Sequence, residues 1–306
     1  MTEATFDKPF PALTPAQRYH LEVFGYVVIE ETLSADEVGQ LLEAVYRLKR
    51  GLCQLENPLA DGARFNNAYL LKNVPNHHFI GNILESDPAI TAYATHPRLV
   101  SMAEELMACE ARIVEMNAHV NSRVPEDAKS GSPRYRFHRG TDIPFGGHVQ
   151  GGLFHCNFVK TLTNLTDLSP EDGGTVVIAG SHKVDVPQDD LIELAYQDPS
   201  LIHQVVAPAG STLLFSETLI HATGQIRSDK ERVIIITGYG APMFPYWDKG
   251  ELSDDFREQI PEQLTTLFHG KAHWGRSPRY RTLAEAADAR PFAMGDWNDR
   301  PTPDDQ

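Results

Sequence analysis

The stretch Arg112-Ile-Val-Glu-Met-Asn-Ala-His-Val-Asn-Ser-Arg123 decides the fold, because the sequence period changes there from 3.6 to 2. Asn117, His119, Asn121 and Arg123 alternate with Ala118, Val120 and Ser122, so a strand over this run has one wholly polar face. Such a face suits the interior of a ligand-lined barrel; a solvated edge strand is the plainer alternative. Downstream, short runs bounded by Gly and Pro follow one another to about residue 240, with strands expected over 154–165, 175–178, 211–215 and 232–238. The expected fold class is mainly β with flanking helices, a double-stranded β-helix of jelly-roll type.

Upstream of residue 112 the pattern is helical. Leu13, Tyr19, Leu21 and Phe24 are helically spaced behind Thr14 and Pro15, and Gly25 ends that segment before the β-type run Tyr26-Val-Val-Ile29. Ser34-Ala-Asp-Glu37 is a capping box in front of Val38, Leu41, Leu42, Val45 and Leu48. Residues 50–80 read as irregular, and His96-Pro97 opens a third helix through Leu99, Met102, Leu106 and Met107. The organisation expected is one domain over 1–306: a helical buttress at about 13–110, a jelly-roll core at about 111–240 and an extension at 241–306. That extension, with Trp247, Phe268, Trp274 and Trp297, is too polar for a second core.

Composition narrows the function. Among 306 residues, 42 acidic against 27 basic side chains leave a net charge of −15, which argues against a nucleic-acid polymer or an anionic membrane as partner. No apolar run nears the roughly 20 residues that span a bilayer, and the first ten residues lack the basic and apolar segments of a secretory leader. Cys53, Cys109 and Cys156 form no CxxC pair, in keeping with a reducing compartment. A cytoplasmic protein acting on a small molecule is expected.

Three motifs carry chemistry: Phe137-His138-Arg139-Gly140, then Gly173-Gly174-Thr-Val-Val-Ile-Ala-Gly-Ser-His-Lys183, then Glu217-Thr-Leu-Ile-His221 with Arg232 eleven residues on. Together with Phe24-Gly25-Tyr26-Val27-Val28 they resemble the phytanoyl-CoA dioxygenase-like branch of the Fe(II)/2-oxoglutarate oxygenases, over roughly residues 13–240. The resemblance implies that His138 and His221 bind Fe(II) and that Arg232 anchors 2-oxoglutarate. Thr223 would add a hydroxyl on the face of His221, and Asn117 and Asn121 are cosubstrate candidates. The residue types suit the task. Two imidazoles and a carboxylate on one face of iron leave positions for a keto acid and O₂, and a guanidinium matches a carboxylate through paired hydrogen bonds.

The family has Asp two residues after the first histidine; this sequence has Gly140. That substitution resembles the radical halogenases of the superfamily, in which chloride fills the vacated iron position and the substrate radical takes halogen instead of hydroxyl. The expectation is therefore a halogenase acting on an unactivated aliphatic carbon, using Fe(II), 2-oxoglutarate, O₂ and chloride, with Gly140 as the halide-binding position and a nucleotide as one substrate class. Three alternatives stay open. Asp142, bent back through a tight turn, or a water could take the place of the missing ligand and give a hydroxylase. On a regular strand the Asp142 contact is barred, since residues i and i+4 lie ~13 Å apart and i and i+2 about 6.6 Å. The barrel could also have lost its iron and become a non-catalytic binding module. His155 and His182 compete as ligands. Arg134, Arg136 and Arg139 would either steer an anionic substrate or be solvated loop residues.

Overall fold

Thr14 and Ser34 start the first two helices by the same device. Each side chain accepts from the backbone N–H three residues on, and Gln17 and Glu37 accept in return from the cap N–H at 2.9 and 2.8 Å. In the computed structural model, which describes residues 10–125, 134–140, 146–246 and 252–271, these helices are α1 (Pro15–Phe24) and α2 (Ala35–Cys53), with β1 (Tyr26–Ile29) between them. Gly25 closes α1 at φ 84°, and a Cβ there would meet the His182 ring at 2.5 Å, so only glycine fits.

The segment expected to be irregular holds a hairpin, β2 (Tyr69–Val74) and β3 (His77–Gly81). Neither strand alternates cleanly. Pairing with a neighbour makes them strands, because β3 adds to the edge of β4 (Arg112–Asn121) with Phe79 opposite His119. Between them and β4 lie α3 (Pro88–Ala94) and α4 (Pro97–Met107). The chain continues through β5 (Gly147–Gln150), β6 (Leu153–Cys156), β7 (Phe158–Asn164), β8 (Thr175–Ile178), α5 (Gln188–Gln197), β9 (Ile202–Val205), β10 (Thr212–Ser216), β11 (His221–Thr223), β12 (Arg232–Gly240), α6 (Asp254–Glu258) and α7 (Thr265–His269). The run expected as one strand over 154–165 is two, β6 and β7, which lie in different sheets.

All strand pairs are antiparallel. A seven-stranded sheet runs β1-β10-β7-β12-β4-β3-β2, a three-stranded sheet β11-β8-β9, and β5 pairs with β6. The first two layers form the expected jelly roll. Alternation along the strands divides the interior. Met116, Ala118, Val120, Val233 and Ile235 point outward into the main core with Leu41, Val45, Leu48, Leu99 and Leu106 of the helices. Leu162, Val177, Leu213, Phe215 and Ile234 pack between the sheets, and Val176, Ile178 and Ala222 pack against Leu191 and Ala195 of α5. Leu252, Leu267 and Phe268 of the extension join the main core rather than forming their own. Trp247, Trp274 and Trp297 lie outside the described residues. Among the described residues no helix is long and apolar enough to cross a membrane.

Gly174 explains the glycine pair before β8. At φ 65° it turns the chain where a Cβ would stand 2.2 Å from the Val205 carbonyl oxygen. The turn is fixed by Asp172, whose carboxylate accepts from the Ser169 N–H and Oγ at 2.8 and 2.7 Å and from Ser228. Burial alone would raise the pKa of this group, but those hydrogen bonds hold it down at about 2.

Candidate active site

The register of the two sheets brings the chemical residues together. His138 pairs as a lone antiparallel bridge with His221 at the edge of β11, N–H to carbonyl in both directions at 3.0 and 2.9 Å. The two rings lie 4.4 Å apart, centroid to centroid. Both are oriented alike: Nδ1 of His138 lies 3.1 Å from the Arg136 carbonyl and Nδ1 of His221 2.9 Å from that of Leu219. A proton on Nδ1 donated to a carbonyl leaves Nε2 with its lone pair free, the tautomer a metal needs. Burial pushes the His221 pKa down to about 4, against an opposing pull from Glu217, so this ring is neutral at physiological pH.

These rings line a cavity of about 280 Å³ between the sheets, together with Asn117, His119, Gly140, Thr175, Thr223 and Arg232, and with Phe79, Phe158, Phe215, Ile234 and Ile236 as apolar walls. Arg232 is 2% exposed. Its Nη2 donates to Thr175 Oγ1 at 3.2 Å, its Nε has no hydrogen-bond partner among the described residues, and burial lowers its pKa to about 10. A buried guanidinium without a counter-ion suits a carboxylate ligand. Asn117 donates to Glu115 Oε2 at 3.2 Å, leaving its Oδ1 unpartnered. Asn121 is buried opposite Arg232 in the β4–β12 register but does not line the cavity.

The other candidates lie elsewhere. His155 packs under α4 with Nδ1 3.2 Å from the Leu106 carbonyl, and His182 packs edge-on against Phe154; neither lines the cavity. Arg134 is held in a two-point ion pair with Glu193 at 2.7 and 2.8 Å, above the Tyr196 ring. Arg136 is exposed, the Arg139 N–H donates to Gln188, and none of these three arginines lines the cavity. Asp142 lies outside the described residues.

The expectation that Gly140 leaves an open position is corrected by its neighbour. A Cβ built on Gly140 would fall 1.0 Å from Oε2 of Glu217, so the room freed by the missing side chain is filled. Glu217 arrives by backbone pairing, since the Gly140 N–H donates to its carbonyl at 3.3 Å. It is 2% exposed, its Oε1 lies 3.4 Å from Lys160 Nζ, and its Oε2 has no hydrogen-bond partner among the described residues. Lys160 also forms a close ion pair with Glu115. Glu217 stands four residues before His221 in the third motif, where the sequence alone gives it no role. The available signal was an acid close to one histidine and a glycine in the acid's usual place near the other. Among the described residues no three His, Cys, Asp or Glu side chains already stand in metal-binding geometry. The donor set still fits iron: two imidazoles with free Nε2 atoms beside an unpartnered buried carboxylate oxygen.

A helix-backed antiparallel jelly roll with paired histidines and a buried arginine in one inter-sheet cavity defines the class of Fe(II)/2-oxoglutarate oxygenases. The phytanoyl-CoA dioxygenase (PhyH) family model matches residues 21–234, and the chain belongs to that family. It is 25% identical over 237 residues to the dioxygenase trt7 of Aspergillus terreus, covering 77% of this chain and 75% of the relative. It is 26% identical over 251 residues to the ectoine dioxygenase of Sphingopyxis alaskensis, covering 72% and 73%. Among solved structures, HygX from Streptomyces hygroscopicus with nickel and 2-oxoglutarate bound superposes with a TM-score of 0.61 at 22% identity, covering 80% of this chain and 94% of that one.

Proposed function

We propose that the protein is an Fe(II)/2-oxoglutarate-dependent hydroxylase of a small molecule, with His138 and His221 holding the iron and Arg232 the distal carboxylate of 2-oxoglutarate. The observation that carries this reading is the pairing, in one cavity, of two imidazoles turned with Nδ1 to backbone carbonyls and a buried guanidinium with no counter-ion among the described residues. Bound iron would supply oxygen activation, with O₂ and 2-oxoglutarate consumed and succinate, CO₂ and an alcohol formed. The protein's own part is to bind and orient. Thr175 fixes the guanidinium, Thr223 offers a hydroxyl to the same cavity, and Phe79, Phe158 and Phe215 give it apolar walls.

Charge favours hydroxylation over halogenation. Summed over the lining, the charges of Glu115 and Glu217 equal those of Lys160 and Arg232, although both carboxylates contact Lys160 and not Arg232; divalent iron balances the 2-oxoglutarate dianion, so a chloride would leave one negative charge in excess. Chlorination is the second reading, motivated by Gly140, and it requires the Glu217 carboxylate to leave the space it fills.

The test is anaerobic titration of the protein with Fe(II) and 2-oxoglutarate, followed optically for the charge-transfer band that needs both bound. The band is expected in the wild type and absent in His138→Ala and in His221→Ala, with succinate production lost in both. Full turnover in either variant would remove that histidine from the site. With a turned-over substrate and chloride present, mass spectrometry should find one added oxygen; exchange of hydrogen for chlorine would establish the halogenase instead.

A further inference from the structure

We infer that Glu217 supplies the carboxylate ligand that Gly140 lacks, so that the iron site is a two-histidine, one-carboxylate set whose acid comes from the second histidine's motif rather than the first's. The inference rests on the iron-binding reading above and concerns which residue completes it.

Three independent observations converge. The first is position. Glu217 Oε2 lies 1.0 Å from where the Cβ of residue 140 would be, so the carboxylate stands at the root of the side chain that would otherwise carry the acid. Any acid at position 140 projects from that point into the same cavity, which Glu217, Gly140, His138 and His221 all line. The second is need. A carboxylate oxygen that is buried and accepts no hydrogen bond is unfavourable, yet Oε2 has no such partner among the described residues, while Oε1 faces Lys160. One oxygen faces a cation and the other is left to a group that the described residues do not provide. The third is connectivity. Residues 138 and 140 pair with 221 and 217 through backbone hydrogen bonds, so Glu217 is held opposite Gly140 as His221 is opposite His138.

Substitution by glycine and presence of the glutamate are then one feature. With a side chain at 140, Glu217 could not lie where it does; without Glu217, the site would have two ligands and a surplus positive charge. Lys160, shared with Glu115, acts as a positioning residue that holds the glutamate's other oxygen.

The experiment is metal binding by the metal-free protein, read by calorimetry and by the visible spectrum of Co(II), in wild type, Glu217→Ala, Glu217→Gln, Gly140→Asp and the double variant Gly140→Asp/Glu217→Ala. Both Glu217 variants are expected to weaken Co(II) binding by on the order of 100-fold, no less than the loss seen when an outer partner of a metal ligand is removed. Gly140→Asp alone should lower the melting temperature, because the new side chain meets Glu217. The double variant should recover both the melting temperature and Co(II) affinity, having moved the acid back to position 140. Glu217→Gln keeps the shape, so its loss of affinity cannot be assigned to misfolding. Wild-type affinity in Glu217→Gln and Glu217→Ala would overturn the assignment while leaving the two-histidine site standing. A double variant that stays weak would overturn it too, by showing that the glutamate acts only on the fold. Absence of Co(II) binding by the wild type would instead bring down the iron-binding reading itself.

Discussion

The seven-stranded sheet has two faces built from alternate residues of the same strands, and they obey different rules. The outward residues Met116, Ala118, Val120, Val233 and Ile235 are apolar and at most 2% exposed, packed against helices. One position along, Asn117, His119 and Arg232 point inward, and the unsatisfied polar atoms Asn117 Oδ1 and Arg232 Nε sit there. The outer face is finished as the chain folds; the inner face is left with polar groups that the described residues do not satisfy. Stability and function are thereby separated by a single residue of register.

That separation can be broken by experiment. Arg232→Met removes a buried charge that has no counter-ion among the described residues, so 2-oxoglutarate affinity should fall by the ~2–5 kcal/mol expected when a buried carboxylate loses its partner. Thermal stability should hold or rise. A destabilised Arg232→Met with unchanged keto-acid affinity would place the guanidinium among the structural residues. Ile235→Ala, three positions along and on the other face, should do the reverse: unfolding free energy down by about 2–5 kcal/mol in a denaturant titration, with the KM for 2-oxoglutarate unmoved in folded protein. The smallest effect concerns the turn before β8. Asp172 has its pKa lowered to about 2 in the folded protein, below the ordinary aspartate value, so it adds stability above that ordinary value and loses it as pH falls towards 2. Asp172→Asn should therefore be less stable than wild type at pH 7, with the gap closing between roughly pH 4 and 2. A constant gap across that range would show that the carboxylate charge is not what holds the turn.

The two faces also explain what the sequence makes legible. The alternation through 112–123 marks both at once, so the polar interior and the jelly roll can be read in advance, and the resemblance carried by the three motifs brings His138, His221, Thr223 and Arg232 to one site. The capping boxes at Thr14 and Ser34 are local hydrogen-bond patterns and are equally plain. The hairpin β2–β3 is not, because edge pairing with β4 makes it, and the break at Asn157 depends on which sheet each half joins. Glu217 escapes for a related reason. Its role lies in the space beside Gly140, which is 77 residues away in sequence and is defined only once the bridge between His138 and His221 has formed. An absence at one position and an acid at another become one fact in three dimensions. The arginines of 134–139 show the converse, since their clustering is local and conspicuous, yet Arg134 is already paired with Glu193 on α5.

The overlap of Glu217 with the missing side chain of residue 140 also bears on how such a site can change. On the proposed assignment an aspartate at 140 requires the Glu217 carboxylate to swing aside, and loss of the glutamate alone leaves the two histidines without an acid. The two positions are therefore coupled, and changing both together should give an effect on metal binding that the two single changes do not add up to.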